Sequence, residues 1–204
     1  MLVALSAGSH DLYRFIVRED ALLEWAQVIA YLAAVVIALV AIPRVWRSGD
    51  TVGTFVVLGL ALISLLSIGE ELSWGQRLIG FGTPELAARN RQGELTLHND
   101  ARLEEAIRVV VLLVGIYGVL VPFLVRRRTP LAPSRTLVSF FAVVTVYYVV
   151  RLLVFDTPSY VQAKYSEWPE TCLAAAVALW CADVGSTSWR RPRVPTFLST
   201  PGDG

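Results

Sequence analysis

The sequence predicts an all-α, polytopic membrane bundle of five transmembrane helices, and three observations predict it. The first is composition. Of 204 residues, 55% are hydrophobic and 17% charged, with a mean hydropathy of +0.56. Soluble domains hold roughly 45–50% and about 25%, and one soluble core of this length could not bury so much apolar surface. The second is a series of charge-free runs long enough to cross the hydrocarbon, which takes about 20 helical residues. The third is a concentration of arginine in the short connections on one side of those runs. A net charge of +1 also excludes a nucleic-acid binder of the basic-patch type.

The elements follow in order. Residues 1–8 are apolar but lack a basic leading region, so no signal peptide is expected. Residues 11–20 read as a short interfacial helix with Leu12, Phe15 and Ile16 on one side. The first span lies at about 22–43 and the second at about 51–71, around charge-free runs at 25–43 and 51–69. The third, about 106–125, is bounded by Arg108 and Arg126, and the fourth, about 136–155, is interrupted only by Arg151. The fifth, about 168–186, is the weakest, since its apolar run of 171–182 reaches spanning length only if Asp183 sits at the interface. Ala174, Ala178 and Ala182 put a small residue at every fourth position of that helix, a stripe suited to close packing inside one bundle. Residues 1–190 thus form one transmembrane domain, and 191–204 read as a flexible cytoplasmic tail. Cys172 and Cys181 lie nine residues apart in one helix, too far along it for a disulfide.

Five spans place the two sets of connections on opposite sides. One side collects Arg44, Arg47, Arg126, Arg127, Arg128, Arg135, Arg190, Arg191 and Arg193 against three acidic groups. The other holds nine basic and fourteen acidic groups. The positive-inside rule makes the first side cytoplasmic, with the N-terminus outside and the C-terminus inside. Tryptophan agrees with this frame: Trp25, Trp74 and Trp168 fall at outer helix ends, Trp46 and Trp189 at inner ones, as an interfacial aromatic belt requires.

Most of the unusual chemistry lies in the outer loop and interfacial helix at about 70–99. If the second span continues as a helix, Glu70, Trp74 and Arg77 lie along one face. Thr83-Pro84-Glu85 has the cap, proline and acid of a helix start, so a short helix to about Asn90 is expected. Glu94 and His98 share a face whether the segment is strand or helix. Glu70 and Glu71 are adjacent carboxylates at a membrane interface, able to hold a cation or to act as general acid and base. They can equally just end a helix in headgroup water. Arg151 lies about one turn inside the hydrocarbon boundary, where a charge either pairs within the bundle or snorkels outward. The pairing expected for it is with Glu70 or Glu71. Glu24, Arg108, Glu167 and Glu170 mark a similar depth on the other helices.

Two histidines, His10 and His98, exclude a histidine-rich di-iron site, and no HExxH, P-loop or GxSxG is present. A metal would meet carboxylates with His98 at most, which suits a hard or borderline cation. The residues name neither a metal nor a cofactor.

The string Gly69-Glu70-Glu71-Leu72-Ser73-Trp74-Gly75-Gln76-Arg77, then Thr83-Pro84-Glu85, then Gln92-Gly93-Glu94 and His98-Asn99, resembles a motif shared by uncharacterised bacterial multi-pass membrane proteins. The likeness covers about 69–99, and more weakly the acidic entry to the last helix at Glu167 and Glu170. It implies membership of that family and a bacterial cytoplasmic membrane, and it brings no activity with it.

Two function classes follow, and a third is weaker. In the first, a polar outer-leaflet site binds, and as an enzyme transforms, a lipid-linked or envelope substrate. Glu70 or Glu71 is then general base or cation ligand, and His98, oriented by Glu94, is its acid–base partner. Trp74, Gln76, Arg77, Asn90, Gln92 and Asn99 position the substrate, with Arg77 able to clamp a phosphate or carboxylate, while Arg151 closes the pocket. In the second class the chain is a non-catalytic subunit or assembly factor that docks another membrane protein on the 70–99 loop. A small transporter is third, disfavoured by the lack of charges near the membrane midplane. Convergence of Glu70 or Glu71 with Glu94 and His98 separates the first two.

Overall fold

The computed structural model describes residues 22–79, 103–125, 129–154 and 164–187. The expected segments at 11–20, 83–90 and 191–204 lie outside these residues. The described residues form helices and no strand. Four helices are long and apolar enough to cross a membrane.

Helix α1, Leu22–Arg47, runs one turn past Pro43, beyond the boundary expected from its charge-free run. That turn places Arg44 and Arg47 at the negative end of the helix. A tight connection follows, in which Gly49 takes φ +74°. Asp50 then caps α2, Thr51–Glu71, by accepting the Gly53 amide at 3.0 Å, which satisfies one of the orphan donors of the first turn.

The second helix ends where the sequence places its span, and the condition for aligning Glu70, Trp74 and Arg77, a continued helix, is not met. Leu72 ends α2, and Ser73, Trp74 and Gly75 all take positive φ, at 48°, 52° and 85°. A short turn of helix α3, Gln76–Ile79, resumes beyond them. Only glycine adopts that left-handed region freely, so the reversal rests on Gly75 and on what holds Ser73 and Trp74.

Helix α4, Glu104–Leu124, and helix α5, Val138–Val154, form a second antiparallel pair. Its close approach is set by Gly118 against the Phe141 ring and Gly115 against Thr145. Helix α6 covers Glu167–Thr187, with Pro169 in its first turn, where no intrahelical donor is lost. It packs chiefly on α1 and also touches α5 and α2, so it joins the two pairs.

The main core is built from Ala34, Ala38, Ala41 and Val45 of α1, Val57, Leu60 and Ala61 of α2, and Val177, Ala178, Cys181 and Val184 of α6. The small-residue stripe of α6 is therefore used within the chain, and Gly185 extends it, resting on the Ala41 methyl. On its other side α6 contributes Ala176 to a cluster with Leu137 and Phe141. Trp180 also lies there, edge-on to Phe141 and stacked with Tyr117, and donates to the Pro130 carbonyl at 3.1 Å. The faces turned outward, with Leu39, Phe55, Leu62, Val110, Leu113 and Phe123, remain exposed and apolar, as lipid-facing surfaces are.

Candidate functional site

The alternation of helix directions brings the starts of α1 and α6 to one level with the ends of α2 and α5. Glu24, Glu70, Glu71, Glu167 and Glu170 all fall there, and Arg44, Arg47 and Arg135 fall at the opposite end. At the acidic end a layer of polar side chains crosses the bundle.

On α1 the layer starts with Gln27, which is fully buried. Its amide nitrogen donates to the Glu167 side chain at 3.0 Å and to the Glu167 carbonyl at 3.3 Å. Both partners are acceptors, which fixes the amide's orientation and turns Oε1 the other way. No donor meets Oε1 among the described residues. One turn deeper, the Tyr31 hydroxyl shares a hydrogen bond with Ser67 of α2, and the Glu71 and Glu170 carboxylates both act on it electrostatically.

On α5, the rings of Tyr147 and Tyr148 meet edge-on at 5.1 Å. Tyr148 donates to Glu170 Oε1 at 3.0 Å. Tyr147 accepts from the Arg151 guanidinium at 3.1 Å and bonds Ser166. Arg151 Nε is buried and has no acceptor among the described residues. An amide oxygen or a guanidinium nitrogen left in this state costs about 1–3 kcal/mol. The layer thus carries two unmet demands of opposite kind, an acceptor on α1 and a donor on α5.

The residues expected at the site divide accordingly. Glu71 acts electrostatically on the Tyr31 hydroxyl and so bears on the layer. Arg151 belongs to it, but its partner is the Tyr147 hydroxyl and not Glu70 or Glu71. The reason is reach along one helix: Tyr147 is one turn back on the same face, whereas α5 packs on α4 and α6 and has no extensive contact with α2. Glu70 instead accepts the Trp74 indole N–H at 2.6 Å. The Trp74 ring lies against Gly69, where an added Cβ would meet it at 2.9 Å. This contact, with the complete burial of Ser73, supports a left-handed pair that costs about 1–3 kcal/mol per non-glycine residue. Gln76 and Arg77 sit in α3 beyond the turn. Asn90, Gln92, Glu94, His98 and Asn99 lie outside the described residues.

Gln27, Tyr31, Ser67, Tyr147, Tyr148 and Ser166 were not among the expected site residues. A signal for them was present. Gln27 and Tyr31 are the only polar side chains between Glu24 and Arg44, and Tyr147-Tyr148 stands one turn before Arg151. Polar groups at membrane depth face the bundle interior and find one another.

Among the described residues, no three His, Cys, Asp or Glu side chains converge as a metal site requires. What the layer offers is hydrogen bonding, negative charge and tyrosine side chains. Comparison of the chain with protein families, with characterised proteins and with solved structures finds no match.

Proposed function

We infer that the chain is a multi-pass protein that crosses the bilayer five times and binds a polar group in the layer at its acidic, extracytoplasmic end. Several observations support the fifth crossing. Helix α6 has 21 residues, about 31 Å of rise, close to the ~30 Å hydrocarbon thickness. It runs parallel to α1, touching it through Gln27 and Glu167 at one end and Ala41 and Gly185 at the other. Its apolar character is lower than that of the other four because protein rather than lipid covers much of it, as the burial of Ala174, Ala176, Val177 and Cys181 indicates. The arginines at the far end orient that end toward the cytoplasm.

The binding role is carried by one observation: among the described residues, nothing meets the buried Gln27 Oε1 and Arg151 Nε. A ligand from the bilayer or the envelope that supplies a donor and an acceptor relieves both. The test is native mass spectrometry of the purified protein beside Gln27→Met and Arg151→Met. A retained molecule lost from both variants supports the site, and identical spectra for all three proteins would remove it. A catalytic form of this role adds Glu94 and His98. It requires a disulfide to form readily between cysteines placed at Glu71 and His98, and its absence under oxidation would exclude joint chemistry.

A further inference from the structure

Resting on the reading of this layer as a binding site, we propose that its ligand is a primary ammonium accompanied by a phosphate, the chemistry of an ethanolamine phospholipid headgroup. The ammonium is held by Gln27 Oε1 with the Glu71 and Glu170 carboxylates, and the phosphate by Arg151.

Three features point to an ammonium. The first is the excess of acceptors. Gln27 Oε1 is fully enclosed and faces no donor among the described residues. It cannot be satisfied by turning the amide over, because its N–H groups would then be lost to the two Glu167 oxygens they now serve. The second is charge: Glu71 and Glu170 both bear on the Tyr31 hydroxyl, one turn below Gln27 on α1. The third is aromatic: Tyr31 and Tyr148 are both buried, Tyr148 donating to Glu170, and tyrosine rings attract cations. A group with several N–H donors and one positive charge answers all three.

The phosphate follows from Arg151. Its Nε is a buried donor without an acceptor among the described residues, while one terminal nitrogen is already committed to Tyr147. Guanidinium groups present their remaining donors to phosphate oxygens in a matching fork. Gln27 reaches Glu167 and Tyr147 reaches Ser166, so the α1 and α5 sides of the site both abut the start of α6. That level is the headgroup depth of the outer leaflet if the acidic end faces outward.

N-methylation tests the idea, because a choline headgroup keeps the charge and phosphate but has no N–H for Gln27. The full chain is placed in phosphatidylglycerol nanodiscs, and dioleoyl-phosphatidylethanolamine or dioleoyl-phosphatidylcholine is titrated in, with thermal melting and retained lipid as readouts. The ethanolamine lipid is expected to bind at least tenfold more tightly than the choline lipid and to raise the melting temperature. Gln27→Met abolishes that preference, and Arg151→Met weakens both lipids. If Gln27→Met does not fold, Glu170→Gln serves in its place, and loss of the ethanolamine preference is again expected. Free phosphoethanolamine that competes shows the headgroup to be sufficient, and failure to compete assigns the ligand to a membrane lipid. Equal affinity of the two lipids in the unmodified protein overturns the ammonium assignment. In that case a different molecule still displaced by Gln27→Met leaves the binding site standing, and the loss of all Gln27-dependent retention removes both.

Discussion

Single residues decide the geometry of the acidic end, and Gly69 and Tyr148 show how. A methyl at Gly69 would stand 2.9 Å from the Trp74 ring. That ring is half exposed and can swing away, so Gly69→Ala should change stability by less than about 1 kcal/mol. It should nevertheless break the Trp74–Glu70 bond and shift Trp74 emission, read as the difference spectrum against Trp74→Phe. An unchanged difference spectrum would show that the ring does not rest where the structure puts it. Tyr148 is buried and donates to Glu170. Tyr148→Phe leaves that carboxylate short of one donor and is expected to cost about 1–3 kcal/mol, measured by thermal melting in detergent micelles. Both carboxylates of the Glu70–Glu71 pair were legible in the sequence as candidates, but not their separation. A left-handed turn at Ser73 and Trp74 carries no strong local signal beyond Gly75, because neither serine nor tryptophan favours that conformation.

Helix contacts set the next scale, and glycine again discriminates between them. At Gly118 a Cβ would lie 2.1 Å from the Phe141 ring, which is 1% exposed and cannot retreat. Gly118→Ala should therefore destabilise the α4–α5 pair by about 1–3 kcal/mol. Gly59 in α2 has nothing within 4 Å, and Gly59→Ala should be neutral or stabilise by up to about 1 kcal/mol through helix propensity. Equal melting temperatures for the two variants would contradict the packing. The charge-free runs pointed to helices long and apolar enough to cross a membrane, and four such helices are present among the described residues. Their pairing was not legible in those runs. The small stripe at Ala174 and Ala178 announced a close contact, yet only the folded chain assigns α1 as its partner and leaves Trp180, on another face, to meet α4 and α5.

For the whole molecule the decisive question is whether α6 crosses the membrane. In a background with Cys172 and Cys181 replaced by alanine, Trp168→Cys and Ser186→Cys mark the two ends of the helix. A membrane-impermeant maleimide added from outside should label the first and reach the second only after permeabilisation. Labelling of both from one side would show that α6 does not cross. The sequence by itself determined the all-helical class, the helices long and apolar enough to cross a membrane, and the separation of acidic from basic ends. These follow from transfer between water and hydrocarbon, which acts on each residue according to its own chemistry and needs no knowledge of its neighbours. Tertiary structure alone decided that Arg151 meets Tyr147 and that Gln27 meets Glu167, each keeping one atom with no partner among the described residues. Such meetings depend on how each helix is rotated about its axis and which helix it packs against. Both are set by packing of the whole chain, and no single segment encodes them.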